Sequence, residues 1–274
     1  MQQQYRPMQV GSVIRNLIII NAIVWFAEKM FSGGELDLVK NFAMYNFTSD
    51  NFRIWQPLTS MFMHSTSSFT HILFNMYALC LFGRPLENVW GAKRFLAYYL
   101  ITGVGAALLY QVVQFIEMDV MLLGSINSLK NNLSPETFAA FIGDQQVTGN
   151  GVNISTFIDQ WAHNPNSLAF KDQAMKLAYS VYDFKNSIPC LGASGAVYGV
   201  LLAFGMLFPN TQLYFIFIPY PIKAKYIVMI YGALELFLGI TQPGSNVAHF
   251  AHLGGMLFGY ILIKQWSKNR THFY

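Results

Sequence analysis

Ser194 stands among small residues in Gly192-Ala193-Ser194-Gly195, near the head of a long apolar run. A serine hydroxyl becomes a useful nucleophile when a neighbouring imidazole can take its proton. His249 and His252, three residues apart, open a second apolar run, and His71 and Asn75, at i and i+4, share one face of a third. Polar and ionisable groups inside such runs are costly unless partnered and mark candidate sites. His252 is therefore the candidate base for Ser194. An acyl-transfer intermediate also needs donors for its oxyanion. His71, Asn75 and the backbone N–H at the head of the Ser194 segment are candidates. Tyr198, one helical turn beyond Ser194, is placed to stack on His252. Beyond the first apolar run of the chain, the one acid well inside such a segment is Glu235, which reads as entering from a different side and pairing with a neighbouring helix. The expected device is thus a Ser194–His252 dyad, with ring packing in place of an orienting carboxylate. His249 reads as an outer-face or structural histidine, and His64, in the outer loop, as a structural or solvent-exposed one.

The elements that must hold these residues are set by composition. Of 274 residues, 54% are apolar or aromatic and only 11% are charged, against about 25% charged in soluble domains. That is the composition of a polytopic membrane protein. Six apolar segments are predicted as spanning helices: Ser12–Phe31, Phe69–Gly83, Phe95–Ile116, Pro189–Phe208, Ile222–Ile240 and Val247–Ile263. A charged link, Arg84–Arg94, joins the second to the third, and a tight turn at Gln242-Pro243-Gly244 joins the fifth to the sixth. Gly195 and Gly199 in the fourth segment, and Gly255 and Gly259 in the sixth, form small-residue seams that let two helices approach closely. They would bring Ser194 to His252. Gly192 exposes the serine.

Charge orients the chain. The N-terminus, the links after segments two and four, and the tail, counted with the segment ends that adjoin them (Arg15, Lys223 and Lys225), carry ten basic residues and one acid, Glu87. Both termini are therefore expected on the cytoplasmic side. Segments two, four and six then enter from outside, placing His71, Ser194 and His252 at similar depth. The fold class expected is all-α, a six-helix bundle in a single domain over 1–274. A polar insert, 117–188, lies between helices three and four. Ser134-Pro135-Glu136 reads as an N-cap followed by a helix, and Ala169–Phe184 as a second one. Together they are expected to form a helical cap on the outer membrane surface.

The stretches GASGAVYG (Gly192–Gly199), HILFN (His71–Asn75) and AHLGGMLFG (Ala251–Gly259) resemble the rhomboid intramembrane serine proteases. So do GRPLENVWGAKRF (Gly83–Phe95) and WQPLTSMFMH (Trp55–His64). The resemblance covers all six segments in order. It implies a serine endopeptidase with Ser194 as nucleophile and His252 as base, and with His71 and Asn75 stabilising the oxyanion. Tyr198 would be the ring under the base, and Glu87 a structural acid at the inner face. The implied substrates are single-pass transmembrane proteins, cut in or beside their membrane helix after a small residue. Many members have Trp-Arg where this chain has Trp55-Gln56, a departure expected to loosen the first outer loop.

Two other readings compete. A non-catalytic relative that binds and escorts transmembrane helices would generally lack the serine or the histidine, and both are present. A metal site using His64, His71, His249 and His252 lacks a carboxylate at its depth, so no metal is expected. No phosphate-cradling loop is present, so no cofactor or nucleotide is expected. The net charge of +4 sits beside apolar spans and carries no nucleic-acid signal. The first span lacks a small-residue cleavage site and reads as retained, and the compact build points to a bacterial plasma membrane.

Overall fold

The structure, a computed structural model, describes residues 11–34, 37–145, 154–215, 218–242 and 248–268. Arg6, the turn through Pro243-Gly244 and the tail with Arg270 lie outside these residues. In chain order the elements are α1 (Ser12–Met30), α2 (Leu38–Phe42), α3 (Gln56–Thr59), α4 (Phe69–Trp90) and α5 (Ala92–Phe115). Then come α6 (Leu123–Asn131), α7 (Pro135–Asp144), α8 (Ile154–Ala162), α9 (Leu168–Asn186) and α10 (Ser194–Leu207). The strands β1 (Gln212–Phe215) and β2 (Ile218–Lys223) precede α11 (Ala224–Thr241) and α12 (His249–Lys268). The chain divides into two units: Met1–Met44, Asn51–Gln111 and Pro189–Tyr274 form one, and Tyr45–Asp50 with Val112–Ile188 form the other.

Each of the six apolar segments contains a helix, with corrected limits. The helix of segment two continues through the expected charged link to Trp90 and stops at Gly91, whose φ of +78° favours glycine. Segment three does not end at Ile116. A wide helical turn over Ile116–Leu122 carries it into α6, making one run of 40 residues. Segment four is helical only from Ser194, so its 14 residues span about 21 Å, less than the hydrocarbon core. Residues Pro189–Ala193 are not helical; Cys190 instead pairs with Met44 as an isolated antiparallel bridge. By length and hydropathy alone, Ala92–Asn131 and Ala224–Thr241 are the runs, among the described residues, that suffice to cross a membrane. The all-α expectation also missed the β1–β2 hairpin, in which Leu213 faces Ile222 across an antiparallel pair.

Packing in the first unit follows from its small residues. Phe95, Tyr98 and Tyr99 of α5, Leu79 and Leu86 of α4, and Val200 and Ala203 of α10 are fully buried. The expected glycine seam is present. A Cβ on Gly255 would overlap the Gly195 carbonyl, and one on Gly259 would overlap the Tyr98 hydroxyl and stand 3.5 Å from Gly199 Cα. Tyr98 closes this layer by donating to the Gly199 carbonyl at 2.8 Å. Glu87 reaches from α4 to the start of α1, accepting the Val13 and Ile14 N–H groups at 3.0 and 3.2 Å. It thereby satisfies two of the unpaired amides that every helix start exposes.

The second unit has its own core, built on Ile126, Phe138, Trp161, Ala174 and Ala178, all fully buried. The predicted cap at Ser134 is a capping box: its Oγ accepts the Thr137 N–H at 3.2 Å, and Thr137 Oγ1 accepts the Ser134 N–H at 2.9 Å. The predicted second helix is α9, while α8 was not anticipated. Asp119 collects Tyr182 Oη, Thr48 Oγ1 and Asn46 Nδ2 at 2.9–3.2 Å.

Candidate active site

The approach to Ser194 is held by backbone. Cys190 and Met44 exchange two N–H···O bonds of 2.7 and 2.9 Å, and the Gly192 N–H donates to the Ser60 carbonyl at 3.0 Å. Gly192 has φ +133°, a conformation reserved for glycine. A Cβ there would lie 3.1 Å from Cε1 and Nε2 of His71 and 3.5 Å from Ser194 Oγ. The glycine therefore keeps open the space between the hydroxyl and the His71 ring. Ser194 is the first residue of α10, where free N–H groups and the positive end of the helix dipole gather.

The expected pair is brought together: His252 Nε2 and Ser194 Oγ are 2.8 Å apart. The Tyr198 ring stacks on His252 at 4.2 Å between centroids and 5° between planes. His71 comes from α4 and its Nδ1 accepts the Ser65 N–H at 3.3 Å. That bond leaves the proton on Nε2, the atom facing Gly192. Asn75 is buried, and its Nδ2 donates to the His71 carbonyl at 2.9 Å.

Glu235 corrects the expectation of a missing carboxylate. It is buried against α10 and α12, with Oε2 2.6 Å from His249 Nδ1 and 3.0 Å from His252 Nδ1. The first contact is a hydrogen bond. The second has ion-pair distance without the alignment of a directed bond, since His252 Nδ1 has no hydrogen-bond partner. The Tyr198 hydroxyl donates to Oε1. His249 is accordingly part of this network rather than an outer-face residue. The sequence did hold the signal: Glu235 lies five residues from Ile240, the outer end of its segment in the expected topology, as deep as the others.

The same three side chains are the group, among the described residues, whose atoms could converge on a metal ion. Their separations of 2.6 and 3.0 Å are shorter than the roughly 3.3 Å between two ligands of a tetrahedral zinc with bonds of about 2.0 Å. As placed, they form a hydrogen-bonded cluster that an ion would have to spread.

Two supports lie behind His71. His64 is fully buried, its ring 5.1 Å from that of His71, and neither ring nitrogen has a partner among the described residues. Burial first, and then the neighbouring His71, bring its pKa down to about 4. The backbone N–H of His64 donates to both Glu28 oxygens at 3.2–3.3 Å, and Trp25 Nε1 donates to the Ser65 carbonyl at 3.2 Å. Gln56, expected to loosen the outer loop, is instead held by it. It is fully buried, accepts the Arg53 N–H at 3.0 Å and donates to the Asn51 carbonyl at 2.9 Å.

The family model of the rhomboid domain matches residues 51–125 and 169–268. RHOMBOID-like protein 12, mitochondrial, of Arabidopsis thaliana is 27% identical over 267 residues, which are 95% of this chain and 60% of that protein. Rhomboid protease AarA of Providencia stuartii is 30% identical over 136 residues, 43% of this chain and 47% of that protein. An uncharacterized mitochondrial rhomboid protein of Schizosaccharomyces pombe is 25% identical over 237 residues, 80% of this chain and 53% of that protein. The chain spans about half to three fifths of the length of these relatives. The two that match most of this chain are named as mitochondrial, so the expected bacterial plasma membrane gains no support. Matched by the family model over well over half its length, the chain belongs to the rhomboid family of integral membrane proteins.

Proposed function

We propose that this chain is an intramembrane serine endopeptidase that cuts the transmembrane segments of single-pass membrane proteins. The observation that carries the reading is the 2.8 Å contact between Ser194 Oγ and His252 Nε2, made at the start of a helix. The six apolar segments are read as passing through the bilayer, the fourth with its short helix completed by the non-helical Pro189–Ala193, so that both termini lie on the positively charged side and the site opens toward the other.

In the first step Ser194 Oγ attacks the scissile carbonyl carbon while its proton passes to His252 Nε2. The carbonyl oxygen becomes an oxyanion, received by the N–H groups at the start of α10, by Nε2–H of His71 and by the second N–H of the Asn75 amide. His252 then returns the proton to the leaving amine as the C–N bond breaks, leaving an acyl-serine. Water, deprotonated by His252, attacks that ester; the bond between the acyl carbon and Ser194 Oγ breaks, His252 returns the proton to Oγ, and the new carboxyl terminus is released. Tyr198 keeps the imidazole in plane through both proton transfers.

Replacing Ser194 by Ala tests the reading on a transmembrane reporter in detergent or vesicles. Cleavage should disappear, together with labelling by a fluorophosphonate. Cleavage that persists in Ser194→Ala removes the mechanism. An unmutated protein that neither labels nor cuts favours a helix-binding escort instead.

A further inference from the structure

We propose that Glu235 is a third member of the hydrolytic device, a positioning carboxylate acting through His252. The proposal rests on the protease reading above and adds a residue and a coupling that the dyad does not contain. Its ground is the placement of one side chain. Leu234 and Leu236 on either side of Glu235 are about half exposed, 45% and 48%, while Glu235 is only 6% exposed. The acid therefore turns inward from α11 to meet α10 and α12.

Every group it meets belongs to the base or to what holds the base. Oε1 takes the hydroxyl of Tyr198, the ring stacked on His252. Oε2 takes Nδ1 of His249 at 2.6 Å and lies 3.0 Å from Nδ1 of His252. These donors are what an anion buried among apolar helices requires. Serine catalysis asks for a defined tautomer of the base, with Nε2 bare toward the hydroxyl and the proton on Nδ1. A carboxylate oxygen 3.0 Å from Nδ1 selects that form, because the other would set a nitrogen lone pair against a negative oxygen. When His252 takes the serine proton, both nitrogens become donors, and the imidazolium faces Ser194 on one side and Glu235 on the other. The Nδ1 contact, unaligned in the resting state, then becomes an ion pair. No proton moves to Glu235, and the cycle stays balanced between Ser194, His252 and the leaving amine.

Placement on α11 gives a further consequence. Ser194 and Tyr198 are on α10 and His252 is on α12, so the base has its full set of partners only while α11 is packed against both. Displacing α11 would withdraw the carboxylate without touching the serine–histidine contact itself.

The test uses the whole chain in detergent micelles, with a fluorophosphonate probe and a transmembrane reporter. Glu235→Gln keeps the shape and removes the charge. It should label Ser194 roughly tenfold or more slowly but to the same endpoint, and lower kcat by a similar factor with KM within about twofold. Glu235→Asp, which restores the charge, should recover part of the loss, as a role in packing alone would not give. Labelling rate and kcat within about twofold of the parent in Glu235→Gln overturn the proposal. Ser194→Ala separates this from failure of the reading beneath it. Cleavage surviving in Ser194→Ala overturns the serine mechanism on which the proposal rests, whereas a silent Ser194→Ala beside an unimpaired Glu235→Gln overturns only the role of Glu235. Should Glu235→Gln fail to fold, histidine nitrogen NMR of the unmutated protein decides. His252 protonated on Nδ1 is expected at rest, and His252 protonated on Nε2 overturns the assignment.

Discussion

At Gly192, backbone conformation and site geometry make the same demand, so a single methyl group tests both. An alanine there would have to hold φ +133° and would place its Cβ 3.1 Å from the His71 ring. The strain is on the order of 1–2 kcal/mol, and relieving it moves either Ser194 or His71. Gly192→Ala should therefore lose roughly tenfold or more in kcat while its helical circular dichroism is retained; full activity would show that the site tolerates the displacement. His64 gives a second prediction. Its pKa lies at about 4 in the folded chain, against about 6.5 when exposed. The unfolded chain then binds a proton that the folded chain refuses throughout that window. The stability this group contributes is present above about pH 6.5 and is lost as pH falls toward 4, roughly 3 kcal/mol at most. Melting temperature in detergent should fall more steeply between about pH 7 and about pH 4 in the parent than in His64→Leu. Parallel curves would remove His64 as the cause. Ser194, His252, His71 and Tyr198 were legible in the sequence because a polar group inside an apolar run has few uses. Glu235 was legible too, had its depth been counted from the outer end of its helix.

Among the helices, the glycine positions separate close packing from mere propensity. Gly255 has no room for a Cβ against the Gly195 carbonyl, while Gly124 in α6 has nothing within 4 Å. Gly255→Ala should push α12 from α10, cost about 3 kcal/mol and slow labelling of Ser194, because His252 rides on the displaced helix. Gly124→Ala should leave activity alone and add up to roughly 1 kcal/mol through helix propensity. Melting temperatures and labelling rates of the two variants check the contrast, and equal effects would deny the seam its role. The seam was readable because small residues at helical spacing have a direct packing meaning. The capping box at Ser134 was readable for a similarly local reason. What was not readable depended on partners distant in sequence. The start of α10 is set by the Gly192–Ser60 and Cys190–Met44 backbone bonds, which no periodicity announces, so the apolar run looked like one 20-residue helix. Likewise, Gln56 was judged by the residue it replaces, whereas its effect comes from the Asn51 carbonyl and Arg53 N–H it holds.

For the whole molecule, two separate cores predict two separable responses to damage. The second unit is organised around Trp161, whose ring lies 6.0 Å from those of Phe138 and Phe157 and whose Nε1 donates to the Pro165 carbonyl at 3.3 Å. Phe157 extends the cluster to Phe170 at 5.7 Å. Removing a buried indole of this kind costs about 3–5 kcal/mol, more than a small unit with one short core can lose and stay folded. The first unit draws its buried layer from other residues, chiefly Phe95, Tyr98, Tyr99 and Val200, and it contains Ser194, His252, His71 and Glu235. Trp161→Ala should therefore expose 112–188 to limited proteolysis while fluorophosphonate labelling of Ser194 keeps its rate. If the variant also changes reporter cleavage, the unchanged labelling rate places that effect in substrate handling rather than in the nucleophile. A labelling rate that falls in step with the loss of protease resistance would instead mean that the two cores fold and fail as one, and the division of labour drawn from their separate packing would have to be abandoned.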